Sequence, residues 1–263
     1  MAEPLVDAEA PPGPGSFTLN RVLHAVAAFL ATAAFVQAQI ELAGVAVQWN
    51  VALHFDNRDM PQYRAVDVSW IDWRLALVTL PTGLHHLYMA TRSVSWWQAF
   101  CQRRTSPLRW AEYSVTSTAM TIRIAVLSGV SDVATLALIG VCSIVMIVLG
   151  GLHEAQRADP PPNDSSWSLF AASSVLFSAQ WGVILAIFQR STASAADVPN
   201  WVVFLMVGLL LFDTAFPAVA LYSAYKPVPY ARVDLAYTGL SLTIKLFFMQ
   251  MLLYGYRSYE RDA

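Results

Sequence analysis

Lys245 occupies a position where a lysine is costly. It lies within the last long apolar stretch of a 263-residue chain, Leu235 to Tyr254, among apolar, aromatic, hydroxyl, glycine and glutamine neighbours. The chain's other lysine, Lys226, stands in a polar turn just upstream. An ammonium group near the middle of a membrane helix costs about 2.5–3.5 kcal/mol on insertion scales, so a chain keeps one there when the amine has a use. A desolvated amine stays neutral and nucleophilic, and its leading chemical use is a Schiff base with an aldehyde. Ser241 precedes Lys245 by four residues, which sets its hydroxyl over the same helix face.

A second group lies in the string RWAEYSVTST, where Arg109, Glu112 and Thr116 are spaced by three and four residues and share one helix face. A carboxylate inside a bilayer needs a positive partner or a proton. A protonated Schiff base on Lys245 would supply the partner, and Glu112 would then hold that charge and set the absorption maximum. Among aldehydes carried in membranes, retinal suits such a site. Taken alone, Lys245 also fits a structural lysine that snorkels or pairs with a carboxylate, and Glu112 fits a charge at a helix end near Arg103 and Arg104.

The elements that must position these residues are membrane helices. The chain is 56% hydrophobic and only 13% charged, too apolar for an ordinary soluble domain and typical of a polytopic membrane protein. A span needs about 20 mostly apolar residues, and seven stretches qualify, at 20–43, 70–92, 107–129, 132–153, 167–189, 199–225 and 232–256. The expected fold is an all-α seven-transmembrane-helix bundle over 20–257, with a disordered tail at 1–19 and a short tail at 258–263. Between the first two spans, VAVQWNVALHF and YRAVDVSW alternate well enough to predict a β-hairpin turning around DNRDMP.

Loop charge suggests orientation. Arg92, Arg103, Arg104, Arg157, Lys226 and Arg232 lie on the even-numbered connections, against Arg58, Arg64, Arg190, Arg257 and Arg261 on the other side. That bias places the N-terminus in the cytoplasm and the C-terminus outside the cell membrane. A net charge of −2 offers no basic face for nucleic acid. Cys101 and Cys142 form no disulfide or ligand framework. No histidine–cysteine spacing points to a metal, and no phosphate loop or serine nucleophile points to an enzyme.

The lysine on the seventh span, with Arg-aromatic-Ala-acid on the third, resembles the microbial rhodopsins. The strings RWAEYSVTST, GVSDVATLALIG, GLHEAQR and LSLTIK resemble one branch, the heliorhodopsins, as does the length of the connection WWQAFCQRRTSPLRWAEY. The resemblance covers nearly all seven spans and is strongest over 85–155 and 239–250. It implies all-trans retinal on Lys245, a counterion at Glu112, and a serine one turn before the lysine at Ser241. It implies a second-helix histidine at His85, with His86 beside it. It also implies an inverted membrane orientation, a homodimer surrounded by membrane lipid, a slow photocycle, and sensing or regulation through an unknown signalling partner. The family's first-helix histidine falls here at Ala27, with His24 one turn earlier. Asp213, in LLLFDTAFPAV, and Arg123, deep in the third span, depart from the family pattern; they either pair across the bundle or line a water cavity.

Thr116, Trp181, Phe212 and Phe216 are the remaining candidates for the walls of a retinal pocket, since a polyene wants flat apolar surfaces; ordinary helix packing is the competing reading. Asp132 and Glu154 bracket the fourth span as solvated or cap-like charges, without a chemical role. Trp73, Trp96, Trp97 and Trp110 suit interface anchors. The expected function is a light-sensing photoreceptor. A light-driven proton pump or light-gated channel on the same scaffold is the first alternative, although Arg123 stands where pumps commonly place a proton donor. A membrane protein without photochemistry is the second.

Overall fold

The computed structural model describes residues 14–41, 50–55, 62–67, 75–158, 165–194, 199–226 and 228–262. These form eight helices: α1 (Pro14–Glu41), α2 (Leu75–Ala90), α3 (Val94–Arg103), α4 (Pro107–Leu127), α5 (Val133–Ala158), α6 (Ser165–Ser194), α7 (Asn200–Tyr225) and α8 (Tyr230–Asp262). Between α1 and α2, β1 (Asn50–Phe55) and β2 (Gln62–Asp67) run antiparallel, with Asn50 opposite Asp67 and Phe55 opposite Gln62. The turn expected at 56–61 lies outside the described residues, as do Trp73 and residues 1–13. Helix α1 starts at Pro14, ahead of the expected 20, and α8 runs on through the short tail to Asp262.

Five helices, α1 and α5 to α8, are long and apolar enough to cross a membrane. Helix α2 is described over 16 residues. Helix α4 has the length, 21 residues, but carries Arg109, Glu112 and Arg123 among hydroxyl side chains. All three charges are buried, so the polarity of α4 faces inward and its hydropathy understates its depth. Phe29, Ile40, Val175, Phe204 and Leu211 are each at least two-thirds exposed or nearly so (71%, 70%, 67%, 68% and 66%), an outer surface that suits lipid.

Local chemistry sets the helix ends. Ser93 caps α3 by accepting the Trp96 amide at 3.3 Å, and Trp97, Phe100 and Cys101 form its buried face. Pro107 opens α4 at a position where the missing N–H has no helical partner to lose. Gly129, at φ 97°, lets α4 reverse into α5 within a few residues. Around the bundle, α6 packs on α5, α5 on α4, α4 on α2, α2 on α1, α1 on α8 and α8 on α7. Small residues bring α1 close to α2, where Gly83 lies against Ala28, Ala31 and Thr32, and Ala27, Ala31, Ala34 and Ala38 of α1 are buried at helical spacing.

Two apolar clusters close the interior. One gathers Ile124, Ile139, Trp181, Ile184, Leu205, Met206, Phe248 and Leu252. The other gathers Met89, Trp97, Phe100, Tyr230 and Tyr237 near α3. Trp97 is therefore a core residue, not an interface anchor, because the amphipathic α3 turns it under the bundle.

Candidate functional site

The site is assembled by three helices that each send one face inward. On α8 the buried face reads Tyr230, Asp234, Tyr237, Ser241, Lys245, a spacing of three and four residues. On α4 it reads Arg109, Glu112, Tyr113 and Thr116. On α2 it carries Thr82, His85 and His86.

At its centre, the Lys245 amine donates to Glu112 Oε1 at 2.5 Å and to Ser241 Oγ at 2.8 Å. Both are buried with it. Thr82 donates its hydroxyl to the same Glu112 oxygen at 2.6 Å, and His85 Nδ1 stands 4.0 Å from the other oxygen. The amine also lies 5.1 Å from the centre of the Tyr113 ring, whose hydroxyl donates to the Tyr237 carbonyl at 3.1 Å. A buried cation paired with a carboxylate and held by hydroxyls is the arrangement in which low dielectric favours the pair.

A second charged layer adjoins the first. Arg109 uses both arms of its guanidinium, donating to Asp234 Oδ1 at 2.8 Å and to Glu154 Oε1 at 2.5 Å, with Tyr230 at 3.2 Å. Glu154 also accepts from Trp110 Nε1. Glu154 is therefore not a solvated cap. It is the partner of a fully buried arginine, brought inward because Gly150 and Gly151 let the Trp110 ring lie against α5, with Trp110 atoms 3.1 and 2.9 Å from where Cβ atoms would stand. Trp110 is half-buried, held against α5 and hydrogen-bonded to Glu154. Asp132 does act as a cap, accepting the Thr135 amide at 2.7 Å.

Histidines join the layers. His24 Nε2 lies 3.2 Å from Asp234 Oδ2, and its Nδ1 lies 2.8 Å from His86 Nδ1. The His85 and His86 rings are 5.0 Å apart. Ala27, the position implied for a first-helix histidine, belongs to the buried alanine stripe of α1; His24, one turn earlier, is the imidazole at the site. In this network three carboxylates (Glu112, Glu154, Asp234) face two fixed cations (Arg109, Lys245). One further proton neutralises it.

Sequence reasoning missed Asp234, Thr82, Tyr230 and the role of His24. Asp234 was in reach, since it sits seven residues before Ser241 and eleven before Lys245 on one helical stripe.

Beside Lys245 opens a cavity of about 380 Å³ enclosed by α4 to α8, within the roughly 300–1,000 Å³ range of pockets that hold small molecules. Thr116, Ser241 and Phe216 line it, as does Asp213. Phe216 lies against Tyr113 and Tyr237, with ring centres 5.5 and 6.0 Å apart. Trp181 and Phe212, expected on this wall, do not line it: Trp181 is buried in the apolar cluster, and Phe212 packs against Phe247 with ring centres 5.5 Å apart. Among the described residues no cluster of histidine, cysteine and carboxylate side chains could hold a metal ion.

The fold is shared with solved rhodopsins. The chain is similar to xanthorhodopsin, a light-driven ion pump with dual chromophore, at 14% identity and a TM-score of 0.72, covering 96% of this chain and 98% of that one. It is similar to the light-driven proton pump of Leptosphaeria maculans at 13% identity and a TM-score of 0.69, covering 96% and 98%. It is also similar to cyanorhodopsin from the cyanobacterium Tolypothrix at 17% identity and a TM-score of 0.66, covering 92% and 95%. At these identities the likeness shows the fold alone. No curated protein matches the chain. The heliorhodopsin family model matches residues 18–255, from α1 to the end of the membrane-crossing part of α8, and the chain belongs to the heliorhodopsin family.

Proposed function

We propose that the protein is a light-sensing membrane receptor holding all-trans retinal on Lys245 as a protonated Schiff base. The observation that carries this reading is the buried Lys245 amine, set between Glu112 and Ser241 at the edge of an aromatic-walled cavity. The cavity fits an elongated apolar group attached at that amine, and Phe216, Thr116 and Tyr113 would flank it. Retinal, when bound, supplies visible absorption and a light-driven change of shape. The chain supplies the rest. Glu112 balances the positive nitrogen, and Ser241 and Thr82 fix the geometry of that pair. His85, within 4.0 Å of Glu112, leads to His86, His24 and Asp234, which give a displaced proton a place inside the protein.

Sensing is favoured over transport by the one-sided layout of these groups. The polar network runs from Lys245 toward Arg109 and Glu154, whereas toward the other ends of α4 and α8 Ile124, Phe248 and Leu252 pack into an apolar cluster, and the buried charge of α4 there is a cation, Arg123, and not a carboxylate. A proton kept within the network alters charge at the α2, α4 and α8 contacts without crossing the bundle. We further propose that α1, α2 and α4 to α8 cross the cell membrane as seven spans, with α3 at the interface, the N-terminus in the cytoplasm and the C-terminus outside. The protein would act as a homodimer in contact with a signalling partner.

The test is a visible spectrum of the purified protein with all-trans retinal, before and after hydroxylamine in the light. A visible band that bleaches is expected. Absence of any band would contradict the reading and leave a membrane protein without photochemistry.

A further inference from the structure

Asp213 lies in the membrane interior with no use in the network around Lys245. It is on α7, one turn before Pro217, and both residues line the cavity beside Lys245. Pro217 has no N–H, so the helix cannot satisfy the Asp213 carbonyl in the usual way. The Asp213 carbonyl therefore lacks its usual helical donor at the level of the cavity wall. The Trp181 indole lies beside Asp213, Phe216 lines the same cavity, and among the described residues no cation acts on the Asp213 carboxyl. The Lys245 amine, in turn, is ion-paired with Glu112. Glu112 thus holds the amine without lining the cavity, whereas Asp213 stands on the cavity wall; Glu154, the other carboxylate on that wall, is paired with Arg109.

Building on the retinal reading above, we propose that Asp213 is a colour-setting residue of the chromophore pocket. Its oxygens act on the part of the polyene remote from the nitrogen. Excitation of a protonated polyenic Schiff base moves positive charge away from the nitrogen and along the chain. A carboxylate at the nitrogen, such as Glu112, favours the ground state and shifts absorption to the blue. Oxygen placed farther along the chain favours the excited state and shifts absorption to the red. Glu112 and Asp213 therefore pull the absorption maximum in opposite directions, and the balance between them sets the colour.

The experiment compares absorption maxima of wild type, Asp213→Leu, Asp213→Asn and Glu112→Gln, each purified and loaded with all-trans retinal. Asp213→Leu should shift the band to the blue, on the order of 10 nm, with the hydroxylamine reaction and retinal stoichiometry kept. Asp213→Asn, close in shape and still bearing an oxygen, should shift it in the same direction by less. Glu112→Gln should shift it to the red. An unmoved or red-shifted band in Asp213→Leu would overturn the proposal while leaving retinal on Lys245 intact. If Asp213→Leu does not fold, an unmoved or red-shifted band in Asp213→Asn overturns it. A wild type without any visible band would instead overturn the retinal reading on which the proposal stands.

Discussion

At the scale of single residues, the chemistry rests on the Lys245 amine and the carboxylate 2.5 Å from it. Lys245→Ala should remove visible absorption entirely, read by spectroscopy after loading with retinal; a retained band would mean another attachment site. Glu112→Gln should keep the band but move it to the red by tens of nanometres in order of magnitude, since a full charge is removed at contact distance in a low-dielectric site. No shift would mean that another carboxylate balances the nitrogen. Lys245, Glu112 and Ser241 were legible in the sequence because each breaks the pattern around it. A charge in an apolar run carries its own signal, and a four-residue spacing places a hydroxyl beside it. His24 and Glu154 were not legible. Each stands near a helix end where a charge is ordinary, and only packing of α1 and α5 against the bundle shows that they point inward.

At the scale of elements, α4 is held by Arg109 and by its contact with α5. Arg109 joins α4 to Asp234 on α8 and Glu154 on α5 with two arms of one planar group. Arg109→Gln would leave both carboxylates buried without a cation, a loss of about 3–5 kcal/mol. A fall of roughly 10 °C in the thermal unfolding midpoint is expected by circular dichroism. Arg109→Lys should recover little of it, because an ammonium lacks the fork. A midpoint within a degree or two of wild type would contradict the assignment. Gly151→Ala tests the α4–α5 seam from the other side. Its new methyl would stand 2.9 Å from the Trp110 ring, so a loss of about 1–3 kcal/mol is expected. An unchanged midpoint would show that the Trp110 ring gives way freely. Helix positions in the sequence were readable from apolar length, and α4 itself from its motif. The separate helix α3 was not, because ten residues of mixed character between two spans look like a loop until Trp97 and Phe100 find a core to enter.

At the scale of the whole molecule, the polar interior extends from Lys245 to Glu154, and toward the other end it gives way to an apolar cluster beside which Arg123 is the buried charge of α4. A protein built this way should move no net protons when illuminated. A pH electrode in a suspension of expressing cells should register no light-dependent drift that a protonophore abolishes; such a drift would favour the transport alternative. The overall architecture was legible early, because about 20 apolar residues repeat along the chain and only a helical bundle lets so apolar a chain satisfy its backbone in lipid. The join between α1, α2 and α8 was not. It depends on alanines at Ala27, Ala31 and Ala34, which carry no chemical mark and gain meaning only as a stripe facing another helix.

The most direct test of the central claim uses the fact that the chain has only two lysines, Lys226 and Lys245. The retinal-loaded protein is reduced with borohydride, which fixes a Schiff base as a stable amine, then digested and mapped by mass spectrometry. The account predicts the retinyl adduct on the peptide containing Lys245 and none on the peptide containing Lys226. An adduct on Lys226, or a coloured protein with no adduct on either lysine, would contradict it.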